Sequence, residues 1–310
     1  MALALTLALM DEAGAAPIRT KLLSYNLHHG EGTDGKLDLA RIGGIIKSVA
    51  PDYAGLQEID SMVTRTGKVD QPAEYARLTG LRSLFGKAIP LEGGGYGNTA
   101  LSKLPMKNAQ RLALPGEEPR MALFTDIDLS GGANPAEGTV TFIDTHLMVG
   151  DGDAALASAK LINAYVRDPA HGDTSRPMIL LGDMNSGRGS AAIAEFLKAW
   201  KADGFNYGID WVFFRPAGRW AFVKAGKLTD GAAAIASDHE PVTQEMDLLI
   251  ANVGLRPITS TEAGGTMGTL RLNHGVVSWA APRQGTEARG FADARGRLAP
   301  EPILRWSPGK

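Results

Sequence analysis

The clearest candidate for chemistry in this chain is an acid and an amide two residues apart, Asp183 and Asn185. They follow the apolar run Met178 to Leu181 across a single glycine, a pattern typical of a buried strand that ends in a turn. Residues two apart point the same way along a strand, so both side chains would lie at one edge of a sheet. A carboxylate and an amide held there could position a water or a metal ion beside a phosphoryl group. An ordinary Asp/Asn turn gives the same pattern, so the motif alone does not decide between the two.

Five further polar clusters stand at the ends of apolar runs. They are Ser24-Tyr25-Asn26, Leu56-Gln57-Glu58, Asp144-Thr145-His146, Ile209-Asp210 and Ser237-Asp238-His239. Glu58 is informative because a glutamate at the end of a buried strand is costly unless a cation lies beside it. A divalent metal ion suits it, since hard cations prefer oxygen ligands. An ion pair with Arg65 is the alternative.

Taken in chain order, the six motifs resemble the endonuclease/exonuclease/phosphatase superfamily, the family of DNase I and the abasic-site endonucleases. The resemblance covers residues 20 to 246. It implies an α+β fold, a four-layer α/β/β/α sandwich in which two packed, mostly antiparallel sheets are flanked by helices. It also implies hydrolysis of a phosphodiester by in-line displacement, without a covalent intermediate.

The resemblance further implies three sets of site residues. The catalytic set is His146, Asp183, Asn185, Asp210 and His239; the metal set is Glu58, Asn26 and Asp238; the substrate-binding set is Asn98, Arg120 and His28. In this assignment Asp183 accepts a proton from the attacking water, and Asp210 orients His239 toward the phosphate. The expected cofactor is Mg²⁺, with Mn²⁺ as its substitute.

Two positions leave alternatives open. Arg120 stands at the place of a family arginine near the phosphate, but an ion pair at the surface would explain it equally well. His28 stands where the family often has an aspartate. An imidazole supplies no fixed negative charge, so the presence of a second metal site stays open.

The periodicity of the chain predicts the elements that must hold these residues. Apolar residues at Leu39, Ile42 and Ile46 lie on one face of a helix that would pack on a sheet. Helices are predicted over residues 37–49, 71–80, 153–165 and 191–200, and strands over residues 18–27, 53–58, 81–88, 121–129, 139–147, 178–183, 208–214 and 242–246. The glycines of residues 92–98 predict a close-approach loop, and no Gly-Lys-Ser/Thr follows it, which excludes a nucleotide P-loop. From Gly97 onward the tract resembles the family's Gly-Asn-x-x-Leu-Ser strand near the active site.

Composition sets wider limits. The 310 residues fit one large domain or two small ones. The chain lacks cysteine, which excludes disulfides and Cys-bound metal, and its net charge of −2 gives no overall basic field that would attract nucleic acid. No apolar run approaches the roughly 18 residues of a membrane span, so no stable membrane insertion is expected. We expect a monomer.

Residues 1–16 are predicted to be the remnant of a secretory signal peptide. An apolar run over residues 2–10 is followed by Ala13-Gly14-Ala15, a small-x-small cleavage pattern. No Lys or Arg precedes Arg19, so a short buried helix is the alternative. The protein is therefore expected to be exported, to the periplasm or the medium, or to be cytoplasmic if this segment is not a signal.

Residues 17–246 are predicted to form the catalytic domain, and residues 247–310 an extension of different composition. The extension is rich in Gly, Ala, Pro and Arg, and it carries eight Lys or Arg against five Asp or Glu. Disorder over most of it is the preferred interpretation, with a small β appendage or a substrate-binding arm as alternatives.

Three functions compete at this point. The first is a secreted nuclease that acts on DNA or RNA. The second is a sphingomyelinase-like phosphodiesterase or phosphatase that acts on phospholipid or inositol-phosphate headgroups. The third is a non-catalytic binding module, which is disfavoured because every motif position is filled except for the histidine at residue 28.

Overall fold

A computed structural model describes residues 16–204 and 208–250, together with the backbone of several strands within residues 257–308. The chain divides into one compact unit over residues 16–250 and another that contains residues 251–310. Residues 1–15, where the signal peptide is predicted, lie outside the described residues. The described part contains no helix with the length and apolar character needed to cross a bilayer.

The unit over residues 16–250 is built on two sheets flanked by helices. Its strands are β1 (Ile18–Asn26), β2 (Tyr53–Ser61), β3 (Arg82–Leu91), β4 (Gly94–Ser102), β5 (Met106–Leu114), β6 (Arg120–Asp128), β7 (Thr139–His146), β8 (Met178–Asp183), β9 (Asp210–Arg215), β10 (Trp220–Lys227) and β11 (Val242–Leu248). Its α-helices are α1 (Leu39–Val49), α2 (Gln71–Thr79), α3 (Pro135–Gly138), α4 (Gly152–Tyr165) and α5 (Ala191–Phe196). The six-stranded sheet has the order β10-β11-β1-β2-β4-β3, and the five-stranded sheet has the order β5-β6-β7-β8-β9.

The main core lies between the two sheets. Leu22 of β1 and Tyr53 of β2 belong to the same buried cluster as Phe142 of β7 and Leu181 of β8. The rings of Tyr53 and Phe142 stack with centroids 4.3 Å apart, which joins the sheets directly. This arrangement confirms the predicted α+β sandwich.

Helices cover the outer faces of the sheets. A second buried cluster contains Ile42 and Ile46 of α1 beside Leu23 and Tyr25 of β1. The helix starts where its apolar stripe begins, and Asp38 caps it by accepting a hydrogen bond from the backbone N–H of Arg41 at 2.8 Å. The predicted helix over residues 37–49 is thereby confirmed.

The two parallel strand pairs determine where functional side chains can gather. β1 runs parallel to β2, with Asn26 opposite Gln57, and β7 runs parallel to β8, with His146 opposite Asp183. The remaining pairs within these two sheets are antiparallel. Since parallel strands end at the same edge, the polar residues that close β1, β2, β7 and β8 share one end of the sandwich.

Two local predictions were wrong. The glycine tract at residues 92–98 is a tight turn followed by the start of β4, not a loop. Its glycines permit close strand pairing, because a Cβ on Gly97 would lie 2.0 Å from the carbonyl oxygen of Gly86. Strand β5 was not predicted, because it is a largely exposed edge strand without apolar alternation.

Strands also occur in the second unit. They are β12 (Pro257–Glu262), β13 (Gly265–Leu272), β14 (Gly275–Ala280), β15 (Phe291–Ala292), β16 (Leu298–Ala299) and β17 (Leu304–Pro308). Four of them form an antiparallel sheet with the order β12-β13-β14-β17. The boundary at residue 246 and the character of the extension stay predictions.

Candidate active site

The centre of the candidate site is a contact between Asp210 and His239, which lie 29 positions apart in sequence. His239 Nδ1 is 3.2 Å from Asp210 Oδ1 and 3.1 Å from Oδ2. His239 Nε2 is 3.5 Å from Asp183 Oδ2. The predicted contact between Asp210 and His239 is therefore present, and the histidine bridges two buried carboxylates.

The strand register explains this arrangement. β8 and β9 are antiparallel neighbours, and Asp183 is directly opposite Asp210. Side chains directly opposite on one face lie within contact distance. His239 comes from the segment before β11, where Ser237 Oγ donates a hydrogen bond of 2.8 Å to the carbonyl of Asn26. That bond holds the segment against the end of β1.

The protonation states of the two central groups follow from their surroundings. Burial lowers the pKa of His239, but the hydrogen bond and charge of Asp210 outweigh it, and Asp183 adds to the effect, so the pKa rises to about 9. Burial and the charge of Asp210 raise the pKa of Asp183 to about 6, against the opposing charge of His239. At neutral pH the site therefore holds an imidazolium beside a carboxylate that is mostly ionised.

Asn26 connects this centre to Glu58. Its Nδ2 donates to Glu58 Oε1 and to Asp183 Oδ2, both at 3.0 Å, and its side chain is fully buried. Its Oδ1 accepts a hydrogen bond of 3.1 Å from the backbone N–H of His28. Asn26 is thus fixed between the two carboxylates that the sequence assigned to metal binding and to proton transfer.

Glu58 has an unusual backbone conformation. Its φ is +59°, and the pairing of β2 with β4 shifts register between Leu56 and Ile59. A non-glycine residue in the left-handed region costs about 1 to 2 kcal/mol, and such residues cluster at functional sites. The bulge turns Glu58 out of the regular strand alternation.

The alternative partner for Glu58 is engaged elsewhere. Arg65 forms a two-point ion pair with Asp60, with Nε to Oδ2 at 2.8 Å and Nη2 to Oδ1 at 2.9 Å. No salt bridge to Glu58 occurs within the described part of the chain. The alternative interpretation, an ion pair between Glu58 and Arg65, is therefore wrong.

His146 and Asn185 lie beside Asp183. His146 Nε2 is 3.4 Å from Asp183 Oδ2 and 2.9 Å from Asn185 Nδ2. The backbone N–H of Asn185, which also has a positive φ of 45°, donates to Asp183 Oδ1 at 2.8 Å. Burial together with the charges of Arg120 and His239 lowers the pKa of His146 well below its ordinary value. His146 is therefore neutral and can donate one hydrogen bond.

Arg120 is buried in the site, with 6% of its surface exposed. Its Nη1 lies 3.3 Å from His146 Nδ1, donates to the hydroxyl of Tyr96 at 3.3 Å and forms an ion pair of 2.9 Å with Glu118. The interpretation of Arg120 as a purely surface ion pair is wrong, because the guanidinium contacts His146.

The remaining predicted residues lie further from this centre. Asn98 is buried, and its Nδ2 has no hydrogen-bond partner among the described residues. Asp238 is exposed, and its Oδ1 lies 3.3 Å from Ser237 Oγ. His28 is half-buried, with Nδ1 3.2 Å from the carbonyl of Glu31. Their assigned roles stay predictions.

A comparison of the sequence with models of protein families agrees with the order of these residues along the chain. The profile of the Endonuclease/Exonuclease/phosphatase family matches residues 23–239. The chain belongs to this family. Members of the endonuclease/exonuclease/phosphatase family are hydrolases that act on phosphoester bonds, and this chain is such a hydrolase.

Solved structures share the family fold. An endonuclease/exonuclease/phosphatase from Beutenbergia cavernae has a TM-score of 0.61 at 19% identity, covering 94% of this chain and 89% of its own. A mannosyl-6-phosphatase from Bacteroides thetaiotaomicron has a TM-score of 0.57 at 18% identity, covering 73% and 99%. The human Nocturnin catalytic domain with bound sulfate has a TM-score of 0.57 at 15% identity, covering 75% and 94%. The comparison with curated proteins gave no match.

Family membership implies a divalent metal ion, and the donor atoms at Glu58 fit one. The Glu58 carboxylate is a hard oxygen donor on β2, beside Asn26 on the parallel strand β1. The Asn26 amide turns Nδ2 toward Glu58 and Oδ1 toward the backbone N–H of His28, so its oxygen would reach a metal at Glu58 only after the amide rotates. Asp183, Asp210 and His239 also offer ligand atoms within 4.8 Å of one another, so this buried group could hold a metal as well. A metal in this group would have to displace the proton of His239, whose pKa is raised to about 9. Glu58 is the position to which the family resemblance assigns the metal.

One aromatic residue of the site was missed by the sequence analysis. Tyr96 is 8% exposed, and the guanidinium carbons of Arg65 and Arg120 lie 5.5 Å and 6.0 Å from the centre of its ring. A tyrosine within a glycine tract, two residues before Asn98, was the available signal.

Proposed function

We propose that this protein is a divalent-metal-dependent phosphodiesterase, an exported nuclease that acts on DNA or RNA. The observation that carries the proposal is a continuous chain of contacts from Glu58 through Asn26 and Asp183 to His239 and Asp210. Such a chain places a cation site, a proton acceptor and a fixed positive charge side by side. The excess of basic residues in 247–310 supports a polyanionic substrate, and the apolar run over residues 2–10 supports export.

The protein side chains divide the work of hydrolysis among them. Asp183, ionised above a pH of about 6, accepts a proton from the attacking water while the water oxygen bonds to phosphorus and the ester bond breaks. His239 is protonated at neutral pH, so it cannot act as the base; it stabilises the phosphoryl oxygens and can protonate the leaving oxygen. A divalent ion held by Glu58 and Asn26, the residues that the family resemblance assigns to it together with Asp238, would neutralise the phosphoryl charge.

Further groups bind the substrate in this scheme. His146 is neutral and donates to a phosphoryl oxygen, with Arg120 behind it as a buried positive charge. Asn185 orients the Asp183 carboxylate through its backbone N–H. The unpartnered Asn98 Nδ2 is a buried donor that a substrate oxygen would satisfy.

A substrate panel tests the proposal. Plasmid DNA, RNA, sphingomyelin and bis-p-nitrophenyl phosphate are each incubated with Mg²⁺, with Mn²⁺ and with EDTA, using Asp183→Asn as the inactive control. We expect cleavage of nucleic acid and of the small diester that depends on the added metal. Full activity in EDTA would contradict the metal site, and turnover of sphingomyelin alone would contradict the nuclease.

One observation favours the lipid phosphodiesterase as a second candidate. Met62 is 50% exposed and Val149 is 56% exposed. Met62 directly follows β2, which carries Glu58, and Val149 is three residues beyond His146 at the end of β7. Apolar side chains in these two loops could contact a lipid surface. Met62→Ser combined with Val149→Ser should lower activity on vesicles and leave activity on the small diester unchanged if this candidate is correct.

A further inference from the structure

Two polar side chains meet between the sheets, one residue before Glu58 and two residues before His146. Gln57 Nε2 donates to Asp144 Oδ1 at 2.6 Å. Neither residue has any exposed surface. Gln57 belongs to β2 in the six-stranded sheet and Asp144 to β7 in the five-stranded sheet, so this hydrogen bond crosses the sandwich.

The packing around the pair is tight and largely apolar. A Cβ on Gly55 would lie 2.2 Å from Leu181 Cδ1 and 2.9 Å from Asp144 Cγ. Glycine at residue 55 therefore makes room for the carboxyl group on the opposite sheet. Tyr53, on the same face of β2, is buried in the same interior.

Asp144 has no cationic partner in the part of the chain that the structure describes. The described residues form no salt bridge with it, and the Gln57 amide donates to it. An ionised carboxylate without a cation is very costly in such surroundings, and the group takes up a proton instead. In agreement, burial raises the pKa of Asp144 well above its ordinary value.

A proton on Asp144 also resolves a hydrogen-bond imbalance. Asp144 Oδ2 and Gln57 Oε1 are both buried, and as acceptors they have no partner among the described residues. A proton on Oδ2 turns that oxygen into a donor, and Oε1 of the same amide is available to accept it. The amide and the carboxylic acid then form two antiparallel hydrogen bonds in a closed ring, which satisfies all four atoms.

We infer that Gln57 and Asp144 form a neutral amide–carboxylic acid pair that positions Glu58 and His146. The pair fixes the distance between β2, which carries the proposed metal ligand Glu58, and β7, which ends at the proposed phosphate-binding residue His146. Within the site, a second hydrogen bond also joins the two sheets, from Asn26 on β1 to Asp183 on β8. Only the positioning role rests on the proposed function; the neutral pair does not depend on it.

Infrared spectroscopy of the metal-free protein tests the neutral pair without any activity assay. The difference spectrum between wild type and Asp144→Asn at neutral pH should contain the carbonyl stretch of a protonated carboxyl group. Gln57→Met should shift that band, because it removes the hydrogen-bond partner. Carboxylate bands in the difference spectrum would overturn the inference, whatever the substrate of the enzyme is.

Kinetics test the positioning role. Asp144→Asn retains both hydrogen bonds as an amide–amide pair, so kcat on bis-p-nitrophenyl phosphate should change less than about twofold. Asp144→Leu leaves the Gln57 amide unpaired, and kcat should fall roughly tenfold to a hundredfold, the size expected for a small displacement of catalytic groups.

A matched control separates positioning from a general loss of stability. Val140 is fully buried on β7, four residues before Asp144. Val140→Ala should destabilise the protein and leave kcat of the folded fraction unchanged. If Asp144→Leu behaves like Val140→Ala, the pair has no positioning role; if it does not fold, the comparison is made with Gln57→Met.

Discussion

At the scale of single residues, the site depends on two groups that carry opposite charges at neutral pH. The pKa of Asp183 rises to about 6, and that of His239 rises to about 9. Between these values the acceptor is ionised and the imidazole is charged. The charge of Asp210 stabilises the imidazolium, and it also raises the pKa of Asp183, so both limits of this pH window depend on Asp210.

This assignment predicts the pH dependence of the reaction. The value of kcat/KM should rise as pH passes about 6, where Asp183 loses its proton, and fall as pH passes about 9, where His239 loses its charge. Asp210→Asn removes the negative charge that raises the pKa of His239, so the alkaline limb should move to lower pH. Initial rates on the small diester from pH 5 to pH 10 measure both limbs, and an alkaline limb that stays in place would contradict the role of Asp210.

A double-mutant cycle tests whether Asp210 and His239 act as one unit. Asp210→Asn should lower kcat by about 10²- to 10⁴-fold, as the loss of an orienting carboxylate does in hydrolytic triads. His239→Ala should cost a similar amount, and the double variant little more. Metal affinity, measured by Mn²⁺ titration, should be nearly unchanged in all three. Additive losses would show that the residues work separately.

Residue types and motif order were enough to find the contact between Asp210 and His239, but not every partner. The order of the motifs predicted that these two residues meet across 29 positions. The sequence could not predict that Arg65 pairs with Asp60 and not with Glu58, because this choice depends on the bulge that turns Glu58 out of the strand alternation. Asp144 belongs to one of the six motifs, yet its pairing with Gln57 depends on how the two sheets pack face to face.

At the scale of secondary structure, the bulge in β2 combines a proposed metal ligand with backbone strain. Glu58 occupies the left-handed region that glycine adopts without cost. The bulge that creates this conformation also directs the carboxylate to Asn26. Stability and activity are therefore expected to conflict at this position.

Substitutions at Glu58 measure that conflict. Glu58→Gln keeps the shape and the strained backbone, and Glu58→Gly relieves the strain. Both should lose activity by orders of magnitude, each factor of ten being about 1.4 kcal/mol of barrier. The free energy of unfolding of Glu58→Gly should be about 0.5 to 1 kcal/mol higher than that of Glu58→Gln. This difference is the relief of backbone strain minus the cost of ordering glycine, which is more flexible in the unfolded chain. Urea unfolding without metal measures this difference, and a less stable Glu58→Gly would contradict the strain.

The elements themselves were predicted where burial gives a clear pattern. α1 has apolar residues at helical spacing, and β8 is a continuous apolar run. Both were predicted from the sequence. β5 was missed because its side chains are mostly exposed, so its position comes only from pairing with β6. The glycine tract was misinterpreted because the same residues permit a loop and a close strand contact.

At the scale of the whole molecule, the unit over residues 16–250 contains every residue of the candidate site. Its last strand pairs with β1 and β10 through Leu248, which lies opposite Ile18 and Trp220. Leu248 is fully buried, and it lies two residues beyond the predicted domain boundary at residue 246. That boundary can be measured.

Two truncated proteins locate the end of the catalytic domain and also test the role of the extension. A protein that ends at Ile250 keeps Leu248 and the hydrogen bond of 2.9 Å from Arg219 Nε to the carbonyl of Leu249, so it should fold and retain kcat on bis-p-nitrophenyl phosphate. A protein that ends at Met246 loses Leu248 and should be less stable by about 2 to 5 kcal/mol, the usual cost of removing a buried leucine side chain. Thermal and urea unfolding of the two proteins give the comparison.

If residues 251–310 act as a basic arm, the protein ending at Ile250 should show a raised KM for plasmid DNA, with a weaker salt dependence, and an unchanged kcat on the small diester. Failure of this longer protein to fold would show that residues 251–310 complete the core, and an unchanged KM for DNA would show that the extension does not bind the substrate.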